Sequence, residues 1–141
     1  MQLTTLEELR WIHDCTLLQL IYKAPESGRR SIELTIHCHP DLGYPPWNGK
    51  SLVLAAVDVY VSEHIVFAIA NPESIDAIRP GVSVELRARI ARAIQMGARF
   101  PGLALTVSFH SGSSLQLICR QLLVGAAPTE TVAGSTVVAT H

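Results

Sequence analysis

Charge is scarce in this chain. Asp, Glu, Lys and Arg make up 16% of its 141 residues, where average usage is about 25%. No long uncharged apolar run is present: residues 52–70 are rich in Val, Ile and Ala but are interrupted by Asp58, Glu63 and His64, which excludes a membrane span. The first residues lack a basic segment followed by an apolar one, so no secretory signal is expected and a cytoplasmic setting is. Cysteine is also sparse. Cys15, Cys38 and Cys119 form an odd set without Cys-x-x-Cys spacing, which suits free thiols in a reducing compartment better than a disulfide framework. Glycine-rich phosphate loops and the Gly-x-Ser-x-Gly nucleophile elbow are missing. The expectation is therefore no catalytic residue and no cofactor.

What the chain does have is apolar content, 48%, sufficient for the core of one domain. So few charges on a small domain point to apolar surface covered by a partner, of which a second copy is the commonest kind. Net charge is −1, and no global field recruits nucleic acid. The charge is unevenly placed: residues 1–78 carry five Lys/Arg against ten Asp/Glu, and residues 79–141 carry six Arg against two Glu. The arginines at 87, 89 and 92, with Arg99 following, spread around a helix without interleaved aromatics, so a solvated or interface helix is preferred to a phosphate-binding one, with Arg89 pairing Glu85.

Hydrophobic period organises the chain. Thr4 or Thr5 can cap a short N-terminal helix. Residues 16–23 and 31–38 alternate around a Pro25-Glu26-Ser27-Gly28 turn, which predicts a β-hairpin. Residues 51–60 and 63–70 read as two strands, and Asn71-Pro72-Glu73 as the start of a helical turn. Residues 83–97 read as the one longer helix, capped by Ser83 with Leu86, Ile90 and Ile94 on one stripe. Residues 103–109 and 115–124 form a second hairpin around a Ser/Gly turn. The expected fold is α+β: a mainly antiparallel sheet of about six strands with the two helices packed on it, in a single domain over residues 1–124. Residues 125–141 are a low-information tail, expected to be disordered or an edge appendage.

Parity divides the first hairpin into an apolar face and a second face that carries His13, Cys15, His37, His39 and Asp41 toward its open end. Imidazole, thiolate and carboxylate are zinc ligands, so these five residues are the candidate metal site. Their spacing matches no established zinc motif, and the alternative is that the His and Asp cap backbone groups while Cys15 and Cys38 pack as small apolar residues. That structural alternative is preferred. Tyr44 and Trp47, set among three prolines, form a candidate partner-binding loop or a lid on the core.

Three short segments carry a resemblance: His13-Asp14-Cys15-x-Leu17 at the entry to a strand, Trp47-x-Gly49, and Phe109-His110-Ser111-Gly112-Ser113 before the last strand. Together they resemble small uncharacterised bacterial proteins with an N-terminal His-Asp-Ala/Cys motif, some of them similar to immunity proteins of toxin systems. The resemblance implies a non-catalytic protein-interaction domain, with a toxin-like protein as its partner and no cofactor. The alternative function is a metal-binding protein or metal-dependent enzyme built on the hairpin cluster.

Overall fold

The computed structural model describes residues 1–26, 28–41, 47–128 and the backbone of 137–140. The elements in order are β1 (Gln2–Thr4), a 3-10 helix (Glu7–Ile12), β2 (Thr16–Lys23), β3 (Ser31–His37), β4 (Ser51–Ile65), β5 (Glu73–Pro80), α1 (Val84–Gln95), β6 (Leu103–Phe109), β7 (Ser114–Ala126) and β8 (Val137–Thr140). Antiparallel pairing runs β2-β3-β4-β7-β6-β5 and returns to β2, so six strands close into a barrel. β1 continues the sheet beside the far half of β7, at Leu122–Val124.

The α+β expectation is thus corrected. Alternation in the sequence marks strands with one buried face, but it does not say whether their sheet stays open. Here bulges between Leu17 and Gln19, Val59 and Val61, and Ile75 and Ala77 coil the strands until the edges meet. Six strands leave a lumen narrow enough for side chains to fill. Leu20, Ile36, Leu52, Ile75, Leu115 and Cys119 all have essentially no exposed surface and form the centre of this filling.

Several local expectations change with it. The N-terminal helix is a single 3-10 stretch, with Leu9 and Ile12 buried. β4 is one strand of 15 residues through Ile65, bent where Asp58 takes φ +55°, instead of two strands through residue 70. Residues 73–80 are a strand and not a helical turn. Burial of Ile75 and Ile78 inside the barrel outweighs the helix-start signal of Asn71-Pro72, whose peptide bond is cis.

Helix α1 is capped as expected, the Ser83 hydroxyl accepting from the Leu86 amide at 3.2 Å. It does not cover a sheet face. Leu86 is its buried residue, whereas Ile94, placed on the core stripe by periodicity, is 52% exposed. Arg89 pairs across to Glu63 of β4 instead of Glu85. In the tail, Gly125 and Ala126 complete β7, and residues 137–140 form β8 along β2. No helix among the described residues is long and apolar enough to cross a membrane.

Candidate functional site at the barrel seam

The barrel closes where β2 meets β5, and this closure is short: Thr16 pairs with Ser74 and Leu17 with Glu73. Two further backbone bonds extend it, from the Asp14 amide to the Ile75 carbonyl (2.7 Å) and from the Ile75 amide to the Cys15 carbonyl (2.9 Å). Asp14 takes φ +64° to make the turn from the 3-10 helix into β2. The β6–β7 turn then comes down on the seam, its His110 amide donating to the Ser74 carbonyl at 3.0 Å.

Side chains reinforce the junction. Asp14 Oδ1 lies 2.7 Å from His110 Nε2, and Asp76 Oδ1 lies 3.9 Å from Nδ1 of the same ring, so a protonated His110 would bridge two carboxylates. Glu73, 7% exposed, accepts from the Ser111 hydroxyl at 2.5 Å and from the Ser74 amide at 3.1 Å. Buried carboxylates require such donors, because water no longer solvates them. The Ser111 hydroxyl thus donates to a carboxylate and not to His110, and the His110-Ser111 pair is arranged as a clamp, not as a base and nucleophile.

Ser113 holds the neighbouring loop. Its hydroxyl accepts from the Phe67 amide (3.1 Å) and donates to the Ala68 carbonyl (3.0 Å). The Phe67 ring rests on Gly112, where φ is +90° and a Cβ would come within 2.8 Å of the ring. Anchored in this way, the loop after β4 presents Val66, Phe67 and Ile69 to solvent at 57%, 79% and 91% exposure. Beneath it lies a cavity of about 330 Å³ walled by Leu17 and Leu20 of β2, Phe109 of β6, and Val66 and Ile69 of the loop. His64 also lines it; burial pushes its pKa below the usual imidazole value, and its ring meets Tyr22 at 6.4 Å between centroids.

The expected hairpin cluster does not assemble as its parity proposed. The bulge between Leu17 and Gln19 shifts the register, so Cys15 and Leu17 face the lumen together with Leu20. His37 pairs with Thr16, and its Nδ1 lies 3.0 Å from the Ser51 hydroxyl. Cys15 meets Cys38 in the core: the hydrogen bond from Cys38 lowers the Cys15 pKa, and bonding to Cys15 raises that of Cys38. His13 is exposed at the end of the 3-10 helix, before β2 begins. His39 is exposed beside Asp41, whose amide donates to its Nδ1 at 3.2 Å. Among the described residues no three His, Cys, Asp or Glu side chains converge to hold a metal.

Trp47 is half-buried and shares with Trp11 a cleft of about 520 Å³ beside the 3-10 helix, as a lid on the core would. Tyr44 lies outside the described residues. Sequence reasoning missed Glu73 and the exposed loop. The loop's signal was present in the unbroken apolar run 65–70 ending at Asn71-Pro72, which lacks the alternation of a strand, whereas no local pattern marked Glu73.

Fold and site together define a closed six-stranded antiparallel β-barrel with a polar clamp at its seam and an apolar loop beside it. No protein-family model, curated protein or solved structure matches the chain.

Proposed function

We propose that this barrel is a non-catalytic protein-interaction module, working as a homodimer through the loop 66–70. The observation that carries the reading is the exposure of Val66, Phe67 and Ile69 on a backbone fixed by Ser113. Burying each such side chain releases about 1.5–3 kcal/mol, so a loop anchored in this exposed form favours a covering surface. A second copy offers the same patch across a two-fold axis, the commonest arrangement of soluble oligomers. The resemblance of His13-Asp14-Cys15-x-Leu17, Trp47-x-Gly49 and residues 109–113 to small uncharacterised bacterial proteins, some of them similar to immunity proteins, is in keeping with a protein partner. Buried free thiols at Cys15, Cys38 and Cys119 suit a cytoplasmic setting.

Light scattering coupled to size exclusion tests the dimer. The wild-type chain is expected at twice the monomer mass, and Phe67→Asp and Ile69→Asp at the monomer mass with unchanged circular dichroism. A wild-type chain that stays monomeric at the highest attainable concentration overturns the reading.

A further inference from the structure

β2 has one edge fully paired with β3 and another that the barrel uses only briefly. On this second edge β5 takes Thr16 and Leu17 and then diverges. From Leu20 to Lys23 the edge is taken by β8 in parallel register, Leu20 opposite Val137 and Lys23 opposite Thr140. All the other strand pairings described are antiparallel. The cavity of about 330 Å³ opens at this same place, with Leu17 and Leu20 of β2 as one wall.

An edge with free backbone donors and acceptors, flanked by an apolar pocket, is what strand addition uses. Main-chain hydrogen bonds supply affinity, and the pocket selects side chains. We propose that the β2 edge at Leu20–Lys23 and the cavity beside it form a strand-accepting groove for an extended, uncharged protein segment rich in β-branched residues, and that β8 is its resident competitor. The resident sequence Val137-Val138-Ala139-Thr140 already has that chemistry. Acidic segments are disfavoured by the Glu73 carboxylate in the cavity wall, and Lys23 is paired with Glu33 and offers them no compensation.

Ten residues separate Ala126 of β7 from Val137 of β8 in the sequence, so the competitor is carried on the same chain as the groove. A competitor on the same chain meets the groove intramolecularly, which masks the groove from weaker partners. Val66 and Ile69 of the proposed dimer loop also wall this cavity, so the backbone edge at Leu20–Lys23, which the loop does not supply, is the part whose exchange separates this proposal from the dimer.

The test uses a fluorescein-labelled synthetic peptide of residues 134–141 and two full-length chains, wild type and Val138→Pro. Proline lacks a backbone donor and fixes φ, so it is expected to weaken the β8 pairing while leaving the barrel sequence intact. Polarisation is expected to show the peptide binding Val138→Pro at least tenfold more tightly than wild type. Hydrogen exchange is expected to quicken at Leu20–Lys23 in Val138→Pro and to slow again on adding peptide. Equal affinity for the two chains, or unchanged exchange at Leu20–Lys23, overturns the proposal. A dimer that survives Ile69→Asp but is lost on Val138→Pro would assign the groove to a second copy's tail and overturn the competitor role.

Discussion

Removing the Ser111 hydroxyl tests whether the seam is held by its side chains or only by its short ladder. Ser111→Ala deletes the 2.5 Å donor to Glu73 and leaves the carboxylate in place, 7% exposed, with the Ser74 amide still donating. Hydrogen bonds to charged groups contribute about 1.5–3 kcal/mol, and a buried acceptor stripped of one donor loses most of that because water cannot replace it. Ser113 loses a second, weaker contact, since its amide lies 3.3 Å from the Ser111 oxygen. The expected cost is therefore about 2 kcal/mol, read as a drop in the urea midpoint at unchanged slope. Glu73→Gln keeps the shape but removes the charge, and the double variant completes a cycle. Groups in direct contact couple by about 0.5–3 kcal/mol, so the two single losses should exceed the double loss by at least about 1 kcal/mol. A Ser111→Ala chain within about 0.5 kcal/mol of wild type would place it among ordinary surface substitutions and refute the clamp.

Two other perturbations follow from the geometry. Gly102→Ala puts a Cβ 2.1 Å from the Cys119 carbonyl oxygen at φ +140°, so it should cost more than about 3 kcal/mol and show in thermal melting as a loss of about 10 °C or more. A melt within a degree or two of wild type would mean that β6 does not approach β7 this closely. His64 has its pKa lowered by burial, which favours the neutral ring in the folded state. The unfolded chain then binds the proton first as pH falls through the unperturbed value of 6.5, so stability declines below that pH. His64→Gln should flatten this part of the pH–stability profile, and a profile identical to wild type would remove His64 as its source.

Much of the fold was legible locally. The hairpin of β2 and β3 and the hairpin of β6 and β7 follow from alternation around Gly and Ser turns, and the Ser83 cap from its position before a helical run. What failed was parity carried across a bulge. Leu17 and Leu20 differ by an odd number yet face the same lumen, because one extra residue between Leu17 and Gln19 flips the alternation. That single shift turned Cys15 into the core and separated it from His37 and His39. Closure was hidden for a different reason. Pairing of β5 with β2 joins residues more than 50 positions apart, and no local pattern encodes it. Asp14 and His110 illustrate the same limit: each stood in a short segment noted from the sequence, but only the fold brings them to 2.7 Å.

The seam is where the barrel has least holding it and where its unusual features collect. β4 and β7 share twelve register pairs, whereas β2 and β5 share two. Local opening follows the weakest ladder, since its free energy scales with the contacts that must break. The Asp14–His110 contact and the Glu73–Ser111 bond then have a mechanical sense: they tie β2, β5 and the β6–β7 turn together from the side where backbone pairing runs out. The same divergence of β5 from β2 leaves the edge that β8 takes and the cavity beside it. Native-state hydrogen exchange should therefore rank the Ile75 amide, which bonds to the Cys15 carbonyl, well below Ala55 in the β4–β7 ladder. With His110→Ala the difference should widen, as one tie is removed and Ala55 is unaffected. If Ile75 and Ala55 exchange together under both conditions, the barrel opens as one unit, and the divergence of β5 from β2 is not a site of weakness.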